Sequence, residues 1–449
     1  MKAIKKITAI LLAVLVIAAP IQTSAVYVSS QEVVSAKTPI SAEKTDLKWA
    51  LKLGNSYKDA PSTQIVVDNT LIVMSGNTLY KIDTDTGEII KSAEMVETPS
   101  YSYTSPTYAD GVIYCPLDNA TVQAFSYKNL KSLWVYRDEL GGQSLTPITY
   151  SDGCIYTGFW NNEDMDANYV CIEVKDENIF NQTEEKSAKW TYTNKGGFYW
   201  AGAEVYSNAI IFGCDDGTFY DNKPSKLISL DKYSGKVIDT LEIMGDQRSG
   251  VSVYNGTVYA VTKAGWLYSS KLNSDGSFND STVKKLSLGG ASTSKPVIYN
   301  NRLYVGVQGS GFGQGYLKVI DVSTLKLIYS AQTKGYPQNA VLLSDAYFEE
   351  SGMVYVYATY NANPGGITVF TDKPGQSTAT QSELFVPEGD KANYCISSIV
   401  SSEDGTLYYK NDSGYIFALE NTENEQTEEI SWFVRFFNAI IEFFRNLFK

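Results

Sequence analysis

The sequence predicts an all-β protein: an eight-bladed β-propeller of four-stranded antiparallel blades, closed by an N-terminal strand and followed by a C-terminal amphipathic helix. Three observations predict it. A hairpin signature recurs eight times, the last copy stops one strand short, and a strand of the right type stands unused near the chain's start.

The hairpin signature is an apolar run, a short turn of Asp, Asn, Ser or Gly, and then a second run opening on β-branched, leucine or aromatic residues. Its copies end at Ile72, Tyr114, Tyr156, Ile211, Tyr259, Tyr304, Tyr355 and Tyr408, spaced by 42, 42, 55, 48, 45, 51 and 53 residues. Turns such as Asp110-Gly111, Asp152-Gly153 and Asn255-Gly256 readily take the positive φ that a two-residue hairpin needs. A third strand follows each hairpin and ends in a polar turn, as in Leu79-Tyr80-Lys81-Ile82 before Asp83 to Gly87. A fourth strand often finishes in large aromatics, as in Leu133-Trp134-Val135-Tyr136 and Lys189-Trp190-Thr191-Tyr192. Four strands in about 48 residues is blade spacing. The sixth to eighth copies are ragged, which leaves seven blades as the alternative count.

The eighth copy ends at Tyr415-Ile416-Phe417-Ala418-Leu419. Its missing fourth strand is expected to be Leu47-Lys48-Trp49-Ala50-Leu51-Lys52-Leu53, with Trp49 in the place of Trp134 and Trp190. Borrowing that strand would cover an edge otherwise open to intermolecular pairing.

Outside the repeats, residues 1–25 read as a secretory signal. Lys2, Lys5 and Lys6 precede an uncharged apolar run over residues 7–19, and Thr23-Ser24-Ala25 suits cleavage. No cysteine follows, so lipoprotein anchoring there is not expected. Residues 26–46 are expected to be a flexible lead-in, 47–419 the propeller, 420–430 an acidic linker and 431–449 a helix. In that helix Trp432, Phe433, Phe436, Phe437, Ile440, Phe444 and Phe448 recur at three-to-four-residue spacing. The stripe is expected to contact a membrane surface or a protein partner, with docking on the propeller as the alternative.

Composition excludes several chemistries. The chain has no histidine, which removes Ser-His-acid catalysis and histidine metal ligation. Without residues 1–25 there are 34 basic residues against 50 acidic ones, a formal charge of −16 that argues against nucleic acid as a partner. Cys115, Cys154, Cys171, Cys214 and Cys395 form no C-x-x-C motif and read as buried free thiols, with one disulfide as the alternative. The acidic turns Asp83/Asp85/Gly87 and Asp164/Asp166 offer oxygens that suit calcium, but too few in either turn, so no metal is expected. The glycine-rich stretch over residues 309–315 lacks the Gly-Lys-Ser/Thr ending of a phosphate loop and reads as a hairpin.

The third-to-fourth strand turns carry a resemblance. Ile82-Asp83-Thr84-Asp85-Thr86-Gly87 and Leu230-Asp231-Lys232-Tyr233-Ser234-Gly235 resemble the Leu-Asp-x-x-Thr-Gly turn of pyrroloquinoline-quinone (PQQ)-type propeller repeats. Ile320-Asp321-Val322-Ser323-Thr324-Leu325 resembles it without the glycine. The resemblance covers roughly residues 47–419 and implies a β-propeller fold. That family includes quinone-dependent dehydrogenases as well as non-enzymatic binding and scaffold propellers of the cell envelope. The enzymes imply a central quinone, calcium held by acidic and amide side chains, a catalytic aspartate and adjacent cysteines. This chain has no adjacent cysteines, near-minimal blades and no aspartate matched to the catalytic one, so a quinone is not expected.

The expected function is therefore an exported binding or scaffold module at the cell envelope or membrane surface, for an envelope polymer, peptide or protein partner. A quinone-dependent or polysaccharide-active enzyme and an adhesive structural protein are the alternatives. Propeller geometry places the second-to-third loops and the links between blades on one face, where loops on a rigid frame carry binding. The candidate ligand-binding residues there are Tyr101, Tyr103, Gln143, Trp160, Phe198, Tyr199, Trp200, Arg248, Tyr336 and Tyr394. Aromatics with convergent amides and one arginine suit a carbohydrate or peptide.

Overall fold

Eight sheets, one per blade, form the described part of the chain, which in this computed structural model comprises residues 27–220 and 222–422. The expected signal over residues 1–25, most of the linker and the C-terminal helix with its apolar stripe lie outside the described residues. Among the described residues no helix is long and apolar enough to cross a membrane.

The turn chemistry read from the sequence takes the expected form. Asp68, Asp110, Asp152, Ser207, Asn255 and Asn300 open the hairpins of blades 1 to 6 with φ between +46° and +55°. Gly111, Gly153 and Gly256 follow, also at positive φ, as a twist-matched two-residue hairpin requires. Blade 7 departs from the pattern with a short helix, Phe348–Ser351, between its first two strands. The middle strands are buried on both sides, as in Cys154–Gly158 and Ala209–Gly213, because each blade is sandwiched between two others. The outermost strand of blade 1, Ile89–Glu94, is nearly all exposed.

Blade 8 takes its fourth strand from the N-terminal side. Thr45–Lys52 pairs antiparallel with Tyr415–Asn421, setting Trp49 opposite Ala418, with a bulge between Leu47 and Trp49. Three tryptophans then show the same geometry. Trp49, Trp134 and Trp190 lie 5.8, 5.9 and 5.9 Å from Tyr408, Tyr114 and Tyr156 of their own blades, each ring pair at 39°. Each indole N–H reaches the next blade, donating to the carbonyls of Thr84, Val174 and Lys232 at 3.0, 3.0 and 2.9 Å. The turn that receives Trp49 is itself locked, because Asp83 Oδ1 accepts from the amides of Asp85 and Thr86 and from the Thr86 hydroxyl.

One hydrophobic cluster fills each of the eight seams. The closing seam joins Val400, Tyr408, Ile416 and Ala418 of blade 8 to Val66, Leu71, Val73 and Ile82 of blade 1, with Trp49 against it. The five cysteines are buried and free, spread over three seams. Burial pushes the Cys214 thiol up to about 12 and that of Cys395 to about 11, which keeps both protonated and unreactive.

Residues 27–46 correct the sequence reading, since their described part is seated rather than flexible. Tyr27–Val28 pairs antiparallel with Thr107–Ala109, the first strand of blade 2. Val33–Val34 pairs parallel with Leu342–Ser344, the first strand of blade 7. First strands line the propeller axis and all run from the link face toward the turn face. The segment therefore rises along blade 2, crosses the axis over residues 29–32 and returns along blade 7. Two-residue strands carry no readable periodicity, which is why composition alone suggested a flexible lead-in.

Candidate axial binding site

Each blade begins with a link that delivers one residue to the axis two positions before the first strand. In blade order these are Thr63, Ser105, Pro147, Gly202, Gly250, Lys295, Ala340 and Ser398, and all eight line one cavity of about 390 Å³. Seven are small or uncharged, so Lys295 is the one charged member of the ring. Its stem lies against Gly250, where a Cβ would stand 2.8 Å from Lys295 Cδ, so a larger residue there would push the lysine aside. Lys295 Nζ is 2.5 Å from Glu32 on the crossing segment and 2.8 Å from Glu204, which opens the first strand of blade 4. Burial opposes the lysine's charge, but the two carboxylates outweigh it and hold the ammonium above its ordinary value.

Above the cavity, on the link face, the structure brings together six of the ten candidate residues. Tyr101 stacks on Tyr103 with ring centres 5.1 Å apart, and Tyr103 meets Trp200 edge-on at 5.1 Å. Trp200 meets Tyr199 at 4.9 Å, and Tyr199 meets Trp160 at 5.2 Å. The Tyr103 and Tyr199 hydroxyls are 3.1 Å apart. Arg248 lies 4.6 Å from the Tyr199 ring centre and 6.0 Å from that of Trp160, within cation–π reach. Tyr103 and Trp200 also line the cavity, so rim and channel are continuous.

Trp200 sits at φ +58°, which a bulky side chain rarely adopts. The Trp160 indole nitrogen is buried and makes no hydrogen bond among the described residues. Both features belong to aromatics held in place by the surrounding links rather than by their own preferences.

The other four candidates stand apart. Phe198 is fully buried, edge-on to Tyr169 and Phe212 in the seam of blades 3 and 4. Tyr336 is buried too, and its hydroxyl accepts from the Thr293 amide at 2.7 Å. Gln143 meets Trp160 through a backbone bridge. Tyr394 is exposed on the link into blade 8. Neighbouring link residues divide between seam and mouth, so a sequence run such as Phe198-Tyr199-Trp200 contributes only part of itself.

Arg248 organises a charged cluster beside the rim. Its Nε and Nη2 donate to Asp215 at 3.0 and 2.6 Å, and Nη2 also reaches Glu163 at 2.5 Å and Asp246 at 3.5 Å. Burial pushes the Asp215 carboxyl up against the pull of Arg248, and it pushes Asp246 up to about 6. Glu163, Asp215 and Asp246 form the one carboxylate trio of metal-binding spacing among the described residues. A guanidinium already stands within it and satisfies Asp215 from two nitrogens. A calcium ion of six to eight oxygen ligands would have to displace Arg248, so the donor set does not fit calcium.

The sequence reading missed Glu32, Glu204 and Lys295. A signal for Lys295 was present: aligning the eight links on their first strands isolates the single lysine among small residues.

Comparisons with known proteins agree with this architecture. A family model described as outer membrane protein assembly factor BamB matches residues 21–158. Among solved structures, BamB from Moraxella catarrhalis is 11% identical, with a TM-score of 0.52 over 84% of this chain and 97% of its own. Quinohemoprotein alcohol dehydrogenase from Comamonas testosteroni is 12% identical, with a TM-score of 0.61 over 86% of this chain and 78% of its own. A europium-containing methanol dehydrogenase is 10% identical, with a TM-score of 0.60 over 84% of this chain and 87% of its own. No curated protein matches the sequence. At these identities the likeness concerns the fold.

Proposed function

We propose that this chain, a PQQ-like β-propeller, is an exported, envelope-associated and non-catalytic binding module that holds a peptide or protein partner at its link face. The observation that carries the reading is the continuous aromatic rim, Tyr101 to Trp160, opening onto an axial cavity whose charged groups are already paired. Aromatic rings give rigid contact area at small entropic loss and are the side chains that anchor protein interfaces. Arg248 and Lys295 each stand against carboxylates, which leaves them as orienting charges at the mouth rather than as acids or bases for turnover. The signal-like start and the matched family's description, an outer membrane protein assembly factor, support a place in the envelope.

Site-specific photocrosslinking in the producing cell tests this. A benzoylphenylalanine at Trp200 or Tyr101 should give a discrete protein adduct that is missing when the probe replaces exposed Ile90 on an outer strand. Equal adducts at all three positions, or none, would overturn the reading. Quinone- and calcium-dependent dye reduction by the purified protein would replace it with the enzyme, and adducts to polysaccharide alone would replace the protein partner with a polymer.

A further inference from the structure

The inward edges of the first strands are a largely unused hydrogen-bonding surface that faces the axial cavity. Among the described residues, the first strand in six blades pairs only with the second strand of its own blade. In blades 2 and 7 the inward edge is taken by residues 27–34 of the same chain. A chain in an extended conformation can therefore add to these edges, the arrangement in which main-chain bonds give affinity and side chains give selectivity.

The contacts of the crossing segment read as ligand contacts. The amides of Leu343 and Asp345 donate to the carbonyls of Glu32 and Val34 at 2.8 and 3.0 Å. Gln31 brackets the backbone of Ser401, accepting from its amide at 2.6 Å and donating to its carbonyl at 2.9 Å. Glu32 meets the ring's single lysine. Its apolar contacts are partial: Tyr27 and Val33 remain 38% and 40% exposed, and Val28 and Val34 are half-buried against the seams. Beyond Ser35 the anchoring changes character: Ala36 and Thr38 are buried, and Thr38 is hydrogen-bonded to Tyr357 at 2.7 Å. A segment held by short ladders and one charge pair, next to a firmly buried anchor, belongs to the low-stability end of local opening.

We propose that the axial channel is a binding site for an extended peptide segment bearing a carboxylate, and that residues 27–35 occupy it in cis as a displaceable built-in ligand. This deepens the binding-module reading and rests on it. The partner's backbone pairs with the first-strand edges, and its glutamate or aspartate takes the place of Glu32 at Lys295. The tethered segment competes at millimolar effective concentration, so a free peptide enters readily only when the tether is weakened.

The test uses the full chain and a fluorescein-labelled peptide of its own sequence from residue 26 to 36, read by anisotropy. Wild-type protein should bind it weakly. Glu32→Lys, which sets like charges together in cis, should bind it at least tenfold more tightly. A probe carrying the same Glu32→Lys change should bind that variant at least tenfold more weakly than the unmodified probe. Amide exchange at Leu343 and Asp345 should quicken at least tenfold in the variant and slow again when the unmodified probe is added. Lys295→Met gives a second arm, in which the preference should reverse towards the lysine-bearing probe, because Glu204 is left without its cation. No probe binding to Glu32→Lys, or equal binding of both probes to it, overturns the proposal. So does exchange at Leu343 and Asp345 that stays at the wild-type rate. Peptide binding needs no cellular partner, so its failure with the Trp200 crosslink intact refutes the channel alone. Loss of the crosslink with the peptide still bound refutes the rim reading alone.

Discussion

The turn face and the link face of this propeller are built from the same eight blades, and they treat repetition in opposite ways. On the turn face the repeat is kept. Trp49, Trp134 and Trp190 meet their tyrosines at one distance and one angle, and each indole N–H closes on the next blade's turn. On the link face the repeat is broken at chosen positions: one lysine in a ring of small residues, one arginine among three acids, one tryptophan at positive φ. Repetition carries the ring's stability, whereas its exceptions gather around the cavity. Substitutions on the two faces should therefore fail in different ways.

The largest effect is expected at Trp190. Its ring packs on Tyr156 and Gly235, and its N–H is satisfied by the Lys232 carbonyl at 2.9 Å. Trp190→Ala opens a cavity at a seam and removes one of that carbonyl's two donors, the other being the Tyr156 hydroxyl at 3.2 Å, for an expected loss of about 4 kcal/mol in denaturant unfolding. A loss below about 1 kcal/mol would mean that the seam is not a cooperative part of the ring.

Next come two glycines on the same face. Gly235 has φ +71°, and a Cβ there would lie 2.6 Å from the Trp190 ring; Gly153 has φ +74° with open space around it. Gly153→Ala should cost about 1 kcal/mol, the strain of a left-handed alanine alone. Gly235→Ala should cost about 3 kcal/mol, because the ring must also move. Equal losses would show that the docked tryptophan is loosely held.

How much of this was legible follows the same division. Asp110-Gly111 and Asn255-Gly256 announce their hairpins because that chemistry is local, and Trp49 announces its blade because the pattern around Trp134 and Trp190 repeats it. The crossing segment was not legible. Gln31 and Ser401 are 370 residues apart, and strands of two residues leave no alternation to read. Arg248 was identified, but Glu163 and Asp215 sit on loops of blades 3 and 4 that only the packing of neighbouring blades brings to it, and Asp246, two residues away in the same link, carries no signal of its own. Phe198 and Tyr336 were expected at the mouth because a link's sequence does not say which of its residues turn into the seam.

Asp246 offers a pH-dependent comparison. Its carboxyl is raised to about 6 by burial, so the folded state holds a proton that the unfolded chain releases near pH 4. Stability from this group is present below that ordinary value and is lost as pH rises through about 6. Asp246→Asn keeps an acceptor for the Asp216 amide and cannot ionise. The variant should gain on the wild type by on the order of 2 kcal/mol between pH 4 and pH 7, read as the difference between their unfolding free energies. A difference that stays flat with pH would mean that Arg248 neutralises Asp246 throughout that range.

The smallest change in stability, and the most informative about the link face, is expected at Trp200. A tryptophan at φ +58° carries about 1–2 kcal/mol of backbone strain. Its edge contacts with Tyr103 and Tyr199 return a similar amount. Trp200→Ala loses the contacts and keeps the strain, while Trp200→Gly loses the contacts and relieves it. Glycine should then unfold at higher denaturant than alanine by about 1 kcal/mol, despite its freer unfolded chain. Both variants should lose the adduct formed by a benzoylphenylalanine at Tyr101, since the rim is interrupted in each. If alanine proves the more stable, the strain is not there to be relieved. If the adduct survives in both, the indole is seam packing and the partner is read elsewhere on the rim.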